Sequence, residues 1–318
     1  MLKTKNIQNN YIYTFRYNYH HRELCKLESR QIFGEEVKDN LLFSNTKVNP
    51  SISPFIKNRF EIIFSSEDSS ELLKRIEDEN IQVEGFKAEY LTLDEDTTGY
   101  TERLKQLKDI GYRIEGQPNY YNPTIIYSIC FYKNVWHFGI LTKHDADWQK
   151  HNKKPRKFSS SLSIEIAKTL IGIASRGNKT NQLLDACCGV GTVMLEACFS
   201  GFNMEGCDIN WKACKNTREN LAHYNYTAKV YHSDIKDHHK KYDAAIVDLP
   251  YNLYTHSNDA IVYGIIESVA KLTNRIIIVS NSDIETLIKK SGLKVSDFCT
   301  IEKRGNSKFK RNIWVCER

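Results

Sequence analysis

The sequence predicts an α/β chain in two parts: a doubly wound, mostly parallel sheet in the C-terminal half, preceded by an α+β domain. Three observations predict it. From residue 182 onward apolar strand segments alternate strictly with helical ones, the pattern of a sheet covered by helices on both faces. Before residue 145 strands and helices come in mixed order. The 318 residues also exceed one ordinary domain at roughly 100–200 residues each.

In the first half, residues 11–17 are rich in β-formers. Residues 21–33 carry Leu24, Leu27 and Ile32 near helical spacing and stop at Gly34. A strand is expected over 59–64 and a short helix over 69–79, with Leu72, Leu73 and Ile76 on one face. Residues 83–93 read as extended, and 101–110 as a helix ending at Gly111. Strands 124–131 and 135–142 flank Lys133-Asn134, a hairpin turn. The basic, proline-containing stretch 145–158 reads as a linker, and the serines at 159–161 offer caps to a helix over 163–174. The expected domains are therefore 1–145, a basic linker 146–158, and 159–318.

In the second half, strands are expected at 182–186, 203–207, 228–232, 244–247 and 275–279. Helices at 192–199, 211–224 and 259–272, with a short piece near Lys236, lie between them. A helix at 283–290 and two late strands at 294–302 and 312–316 follow. In such sheets the ligand sits beyond the carboxyl ends of the strands.

Composition narrows the function. Hydrophobic residues make up 41% and charged residues 26% of the chain, enough for a real core. No apolar run approaches the roughly 18 residues of a membrane span, and residues 1–10 hold no signal-peptide core. The nine cysteines are odd in number and include no C-x-x-C pair. They read as reduced thiols of a cytoplasmic protein, with no metal site. Net charge is +6, divided as 20 basic against 22 acidic residues (−2) over 1–150 and 25 against 17 (+8) over 151–318. Two runs free of acids stand out: Lys150, Lys153, Lys154, Arg156 and Lys157, and then Lys303, Arg304, Lys308, Lys310 and Arg311. Singly each suits a solvated surface; together they point to a polyanionic partner. The acidic stretch 67–96 is expected to face away from it.

The chemistry-bearing residues follow the strand ends. Asp185 ends the first strand, and Cys187, Cys188, Gly189 and Gly191 lead into a helix at Thr192. The glycines let backbone approach a ligand, while Met194 stands where a dinucleotide fingerprint needs a third glycine. Asp208, followed by Ile209, is placed to accept hydrogen bonds from both hydroxyls of a ribose. Asp234, followed by Ile235, could accept from an adenine amine. Singly, Asp208 or Asp234 serves equally well as a helix N-cap. A fourth apolar strand runs into Asp248-Leu249-Pro250-Tyr251. An exocyclic base amine is a poor nucleophile because its lone pair is delocalised into the ring. Asp248 and the carbonyl of residue 249 can accept its hydrogens, Pro250 holds residue 249 extended, and Tyr251 can stack on the base.

Asp185…Gly189-x-Gly191, Asp208, Asp234 and Asp248-Leu-Pro-Tyr251 together resemble the motifs of S-adenosylmethionine-dependent amino-methyltransferases. The resemblance covers about residues 155–318 and implies a Rossmann-like seven-stranded sheet with an antiparallel final pair. Leu249 departs from the family, which usually has proline there. Asn119-Tyr-Tyr-Asn-Pro-Thr124, Lys133-Asn-Val-Trp-His-Phe-Gly139 and Lys154-Pro-Arg-Lys-Phe-Ser159 resemble the junction in THUMP-linked RNA methyltransferases, which methylate the guanine N2 amine in tRNA. That implies a ferredoxin-like/THUMP-like RNA-binding domain at 1–145 and tRNA as partner. It also implies RNA contacts by Lys153, Lys154, Arg156, Lys157, Lys308, Lys310 and Arg311. A ribosomal-RNA guanine-N2 enzyme, a DNA adenine-N6 methyltransferase and a non-catalytic RNA-binding protein are the rival readings.

Overall fold

The computed structural model describes residues 10–159, 161–250, 259–303 and 306–318, which divide into two compact units. The division is not a single cut. The N-terminal unit holds residues up to 16, 37–51 and 56–144; the C-terminal unit holds 17–36, 52–55 and 145–318.

The N-terminal unit is one six-stranded sheet of order β2-β1-β3-β6-β5-β4. Its strands are β1 (Tyr11–Phe15), β2 (Leu41–Ser44), β3 (Ile56–Ser66), β4 (Phe86–Tyr90), β5 (Ile125–Tyr132) and β6 (Val135–Lys143). All neighbours are antiparallel except β4 and β5. Side chains alternate between two apolar clusters: Ile129 joins one and Cys130 the other. Helices α2 (Ser69–Asp78) and α3 (Tyr100–Gly111) supply Leu72, Ile76 and Ile110 to the Ile129 side. The hairpin turn falls on Lys133 and Asn134, both at positive φ. Strand β2 was not expected; it starts from a second such turn, at Asp39 and Asn40, and the Lys38 and Leu41 backbones exchange both hydrogen bonds across it.

The C-terminal unit is a seven-stranded sheet of order β12-β13-β11-β10-β7-β8-β9. The five strands β7 (Gln182–Asp185), β8 (Asn203–Asp208), β9 (Val230–His232), β10 (Ala244–Asp248) and β11 (Arg275–Ser280) run parallel. β12 (Lys294–Lys303) and β13 (Asn306–Glu317) close it antiparallel. Helices α4 (Ile164–Ser175), α5 (Thr192–Ser200), α6 (Trp211–His223), α7 (Asp259–Ala270) and α8 (Glu285–Lys290) belong to the same unit. Strand β11 reads Arg-Ile-Ile-Ile-Val-Ser with every residue buried, as a parallel strand covered on both faces requires. Strand order reverses between β7 and β10, the topological switch point at which such sheets bind ligands. Among the described residues no helix is long and apolar enough to cross a membrane.

Two further segments differ from expectation. Helix α1 (Arg22–Phe33) lies early in the chain yet belongs to the C-terminal unit. Its Arg30 forks onto Asp297 of β12, with Nε 3.0 Å and Nη2 2.9 Å from the two carboxylate oxygens. Gln31 donates to Asp297 at 2.8 Å and accepts from Arg275 at 2.8 Å. Arg275 in turn caps the C-terminal carbonyls of α4, at Ile173 and Ala174. The second segment is the expected linker, which instead forms a 3-10 helix over Asp147–Lys153 with Trp148 and His151 buried. His151 meets Glu196 at 2.6 Å and Tyr226 at 3.1 Å, and Lys168 donates to Ser200 at 2.7 Å in the same interior. Buried polar groups need such partners, so composition made this stretch look solvated when packing holds it. Helix α4 is capped by the Ser163 hydroxyl, which accepts from the Ile166 amide, rather than by the preceding serine run.

Candidate cofactor and base site

The carboxyl ends of β7, β8 and β10 open into one cavity of about 320 Å³. Strand β7 delivers Asp185 with Leu183 and Leu184 buried behind it. The chain then turns through Gly189 (φ +56°) and Gly191 (φ +76°) into α5. An added Cβ at Gly189 would meet nothing within 4 Å, so bare backbone faces the cavity there. Gly191 is constrained differently: its Cβ would lie 2.6 Å from Thr217 Cγ2. Helix α6 fastens the turn, since Thr217 donates to the Gly189 carbonyl and Asn220 to the Val190 carbonyl, each at 2.8 Å.

Asp208 ties β8 to that turn. One carboxylate oxygen accepts from the Gly189 amide at 2.9 Å and the other from the Asn210 amide at 2.8 Å. A carboxylate has about four acceptor positions, so each oxygen keeps capacity for a ligand hydroxyl. Asp185 is buried, and its Oδ2 has no hydrogen-bond partner among the described residues. Burial first, then the negative charges of Asp248 and Asp208, push its carboxyl well above the usual range. Asp248 ends β10 and lines the cavity with Leu249 and Pro250. The Leu249 amide donates to the Val279 carbonyl at 3.1 Å, which fixes residue 249 against β11.

The cavity gathers Asp185, Cys187, Gly189, Asp208, Ile209, Asp248, Leu249 and Pro250 of the sequence-derived set. Gly191 lies outside its wall, as the N-cap of α5. Asp234 and Ile235 do not line it. Asp234 caps a short 3-10 helix (Ile235–Asp237), accepting from the Lys236 amide at 3.0 Å with the Lys236 ammonium 3.1 Å away. Ile235 is buried in the apolar core. Tyr251 falls outside the described residues. Phe158, Leu162, Thr192 and Asn210 also line the cavity and were not singled out. The available signal for Asn210 was its place just before a helix, where it caps α6.

The basic residues are not one surface. Lys153 and Lys157 are exposed. Lys154 is buried, and burial pulls its pKa down. Arg156 pairs with Glu219, and its backbone is held on both sides by Asn220. Arg311 is buried and Lys310 lies 3.2 Å from Glu302. The side chain of Lys308 lies outside the description.

Three carboxylates face the cavity, and no lysine, arginine or histidine lines it among the described residues. A cation here would relieve the repulsion that raises the Asp185 carboxyl. S-adenosylmethionine carries a sulfonium and an ammonium, and the unpartnered Asp185 oxygen and the open Gly189 backbone fit such a ligand.

Residues 160–295 match the methyltransferase small domain family. Over this segment the chain resembles S-adenosylmethionine-dependent methyltransferases. The chain is similar to the tRNA (guanine(10)-N2)-dimethyltransferase of Methanothermobacter thermautotrophicus, 32% identical over 119 residues, 36% of this chain and 35% of that protein. It is 26% identical over 171 residues to the protein of the same name from Methanocaldococcus jannaschii, 48% of each. The aligned regions span less than half the length of these relatives. Among solved structures it resembles TrmN from Thermus thermophilus, at 13% identity and a TM-score of 0.47 over 97% of this chain and 99% of that one.

Proposed function

We propose that the chain is an RNA N-methyltransferase that methylates an exocyclic base amine, the N2 of guanine in tRNA. The observation that carries the reading is the gathering of Asp185, Asp208 and Asp248-Leu249-Pro250 around one cavity at the switch point. The names of the two curated relatives support guanine and tRNA as its substrate. In this reading the N-terminal unit serves to hold RNA.

S-adenosylmethionine, when bound, supplies the electrophilic methyl group. Asp208 holds hydroxyls, Asp185 offers its free oxygen to a cation, and Asp248 with the carbonyl at 249 accepts the N–H bonds of the target amine. Accepting those hydrogens pulls the nitrogen out of conjugation and directs its lone pair at the methyl carbon. As the C–N bond formed, the methyl–sulfur bond would break with its electron pair left on sulfur, and one amine proton would be lost toward Asp248. The remaining contribution is alignment of amine, methyl carbon and sulfur.

The test is methyl transfer from radiolabelled cofactor to unmodified tRNA, followed by nucleoside mass spectrometry. N2-methylguanosine is expected. Asp248→Ala should lose transfer almost wholly while cofactor affinity by calorimetry changes little; transfer near the wild-type rate overturns the amine-acceptor role. Methylation of ribosomal RNA or of adenine in DNA alone moves the substrate to those rivals.

A further inference from the structure

The N-terminal unit has a second cavity, of about 500 Å³, between α3, β4 and the loop over residues 116–124. Its inner wall is Phe86 and Ala88 of β4 with Leu107 and Gly111 of α3. Its rim carries Lys108, Tyr112 and Tyr120. Tyr112 is 77% exposed, Tyr120 64%, and Tyr121 beside it 99%. These rings are not displayed by a slack loop. The Asn119 amide donates to the Phe86 carbonyl at 2.8 Å, and the Gln117 amide to the Glu84 carboxylate at 2.9 Å. The Asn119 side chain accepts from the amides of Tyr121 and Asn122 at 3.1 and 2.9 Å, an Asx turn that sets the two tyrosines outward.

The electrostatics favour an anionic, planar ligand. Lys108 Nζ stands 5.7 Å from the Tyr112 ring and has no carboxylate partner among the described residues. Two of the nearby acids are held by neutral donors. Glu84 holds the Gln117 amide, and Glu115 accepts from Gln82. Glu89 pairs with Lys87 and Lys143 on the opposite face of β4 from Phe86 and Ala88. Only these two uncharged side chains of the acidic stretch reach the cleft wall.

We propose that this cleft is a nucleotide site that takes an unpaired base of single-stranded RNA, with Tyr112 and Tyr120 stacking on bases and Lys108 meeting an adjoining phosphate. The choice of RNA as occupant rests on the proposed function; the cleft itself does not. Every base has a π-face, so such stacking tolerates sequence.

The test uses the full chain and fluorescein-labelled single-stranded hexanucleotides of uridine or adenosine, read by anisotropy. Gly111→Leu is the sharpest variant. Gly111 ends α3 without a positive φ, and an added Cβ meets nothing within 4 Å, so the leucine fills the cleft without disturbing the fold. It should abolish hexanucleotide binding. Tyr120→Ala and Tyr112→Ala should each weaken binding about 5- to 100-fold. Lys108→Ala should reduce the slope of log affinity against log salt by about 0.7. Cofactor affinity should stay unchanged in all four. Wild-type affinity in Gly111→Leu and both tyrosine variants overturns the site, as does failure of the wild-type protein to bind either hexanucleotide, or displacement of neither by excess RNA but of both by a proline-rich peptide. Binding that is lost in the variants while the wild type methylates no nucleic acid supports the cleft and overturns the functional reading instead.

Discussion

Asp208 and Asp185 share a cavity but answer to different forces. Asp208 is held by two amide donors and remains an acceptor. Removing it should cost cofactor binding about 1.5–3 kcal/mol, the range for hydrogen bonds to a charged group; calorimetry of Asp208→Ala checks this, and unchanged affinity removes the assignment. Glu28, in α1, shows burial outweighing a hydrogen bond from Ser53 and the charge of Lys168 on a carboxyl. Its Oε2 accepts from the Ser53 hydroxyl at 2.6 Å, its Oε1 has no partner, and burial pushes its pKa up from 4.5 to about 8. The folded state therefore binds this proton more tightly than the unfolded one. The stabilisation is fully present below pH 4.5 and is lost as pH rises toward about 8. Glu28→Gln stays neutral and keeps an acceptor for Ser53, so the fall in Tm across that window should flatten. A melting series in which both proteins lose stability equally from pH 5 to 8 would refute the account.

At the scale of elements, the turn between β7 and α5 is a tight joint of the C-terminal unit. Gly191→Ala combines a left-handed φ of +76° with a Cβ 2.6 Å from Thr217 Cγ2. It should destabilise by about 1–3 kcal/mol. Adding Thr217→Ser removes that methyl while keeping the hydroxyl that holds the Gly189 carbonyl. Thermal melts should then show partial rescue, because the strained φ remains; no rescue would mean that crowding contributes nothing. This joint was legible in the sequence, as were the parallel strands, because residues buried on both faces leave continuous runs such as Ile276 to Val279. The role of Asp234 was not. An acid after a strand serves a ligand or its own backbone equally well, and here the Lys236 amide takes one of its acceptor positions. Nor was the fate of 146–158 legible, because His151 and the Arg156 backbone look solvated until Glu196 and Asn220, 45 and 64 positions on, are placed beside them. Strand β2 was missed because Asp39 and Asn40 form a turn with only four strand residues beyond it.

At the scale of the molecule, the chain passes between its two units five times, after residues 16, 36, 51, 55 and 144. A fragment starting at residue 145 lacks α1, and with it Arg30 and Gln31 at Asp297 and Arg275. It should melt below the full chain, and a separate peptide of residues 17–55 should raise its Tm; a fragment as stable as the whole would show that α1 is dispensable. The exposed lysines allow a smaller claim than the two basic runs suggested. Neutralising Lys153 and Lys157 together should lower the salt slope of tRNA binding by about 1.4–1.8, the share of two phosphate contacts.

The Arg30–Asp297 fork spans 267 positions of sequence. On a ribosome adding about 5–20 residues per second, roughly 13–55 s separate the synthesis of these two partners. Throughout that interval Leu24, Cys25, Leu27 and Ile32, the buried side of α1, have been made and their β12 docking surface has not. The six-stranded sheet is complete by Lys143 and can form on the emerging chain. The C-terminal unit cannot finish until its earliest helix meets its latest strands, which makes the nascent chain's waiting time a property of this topology.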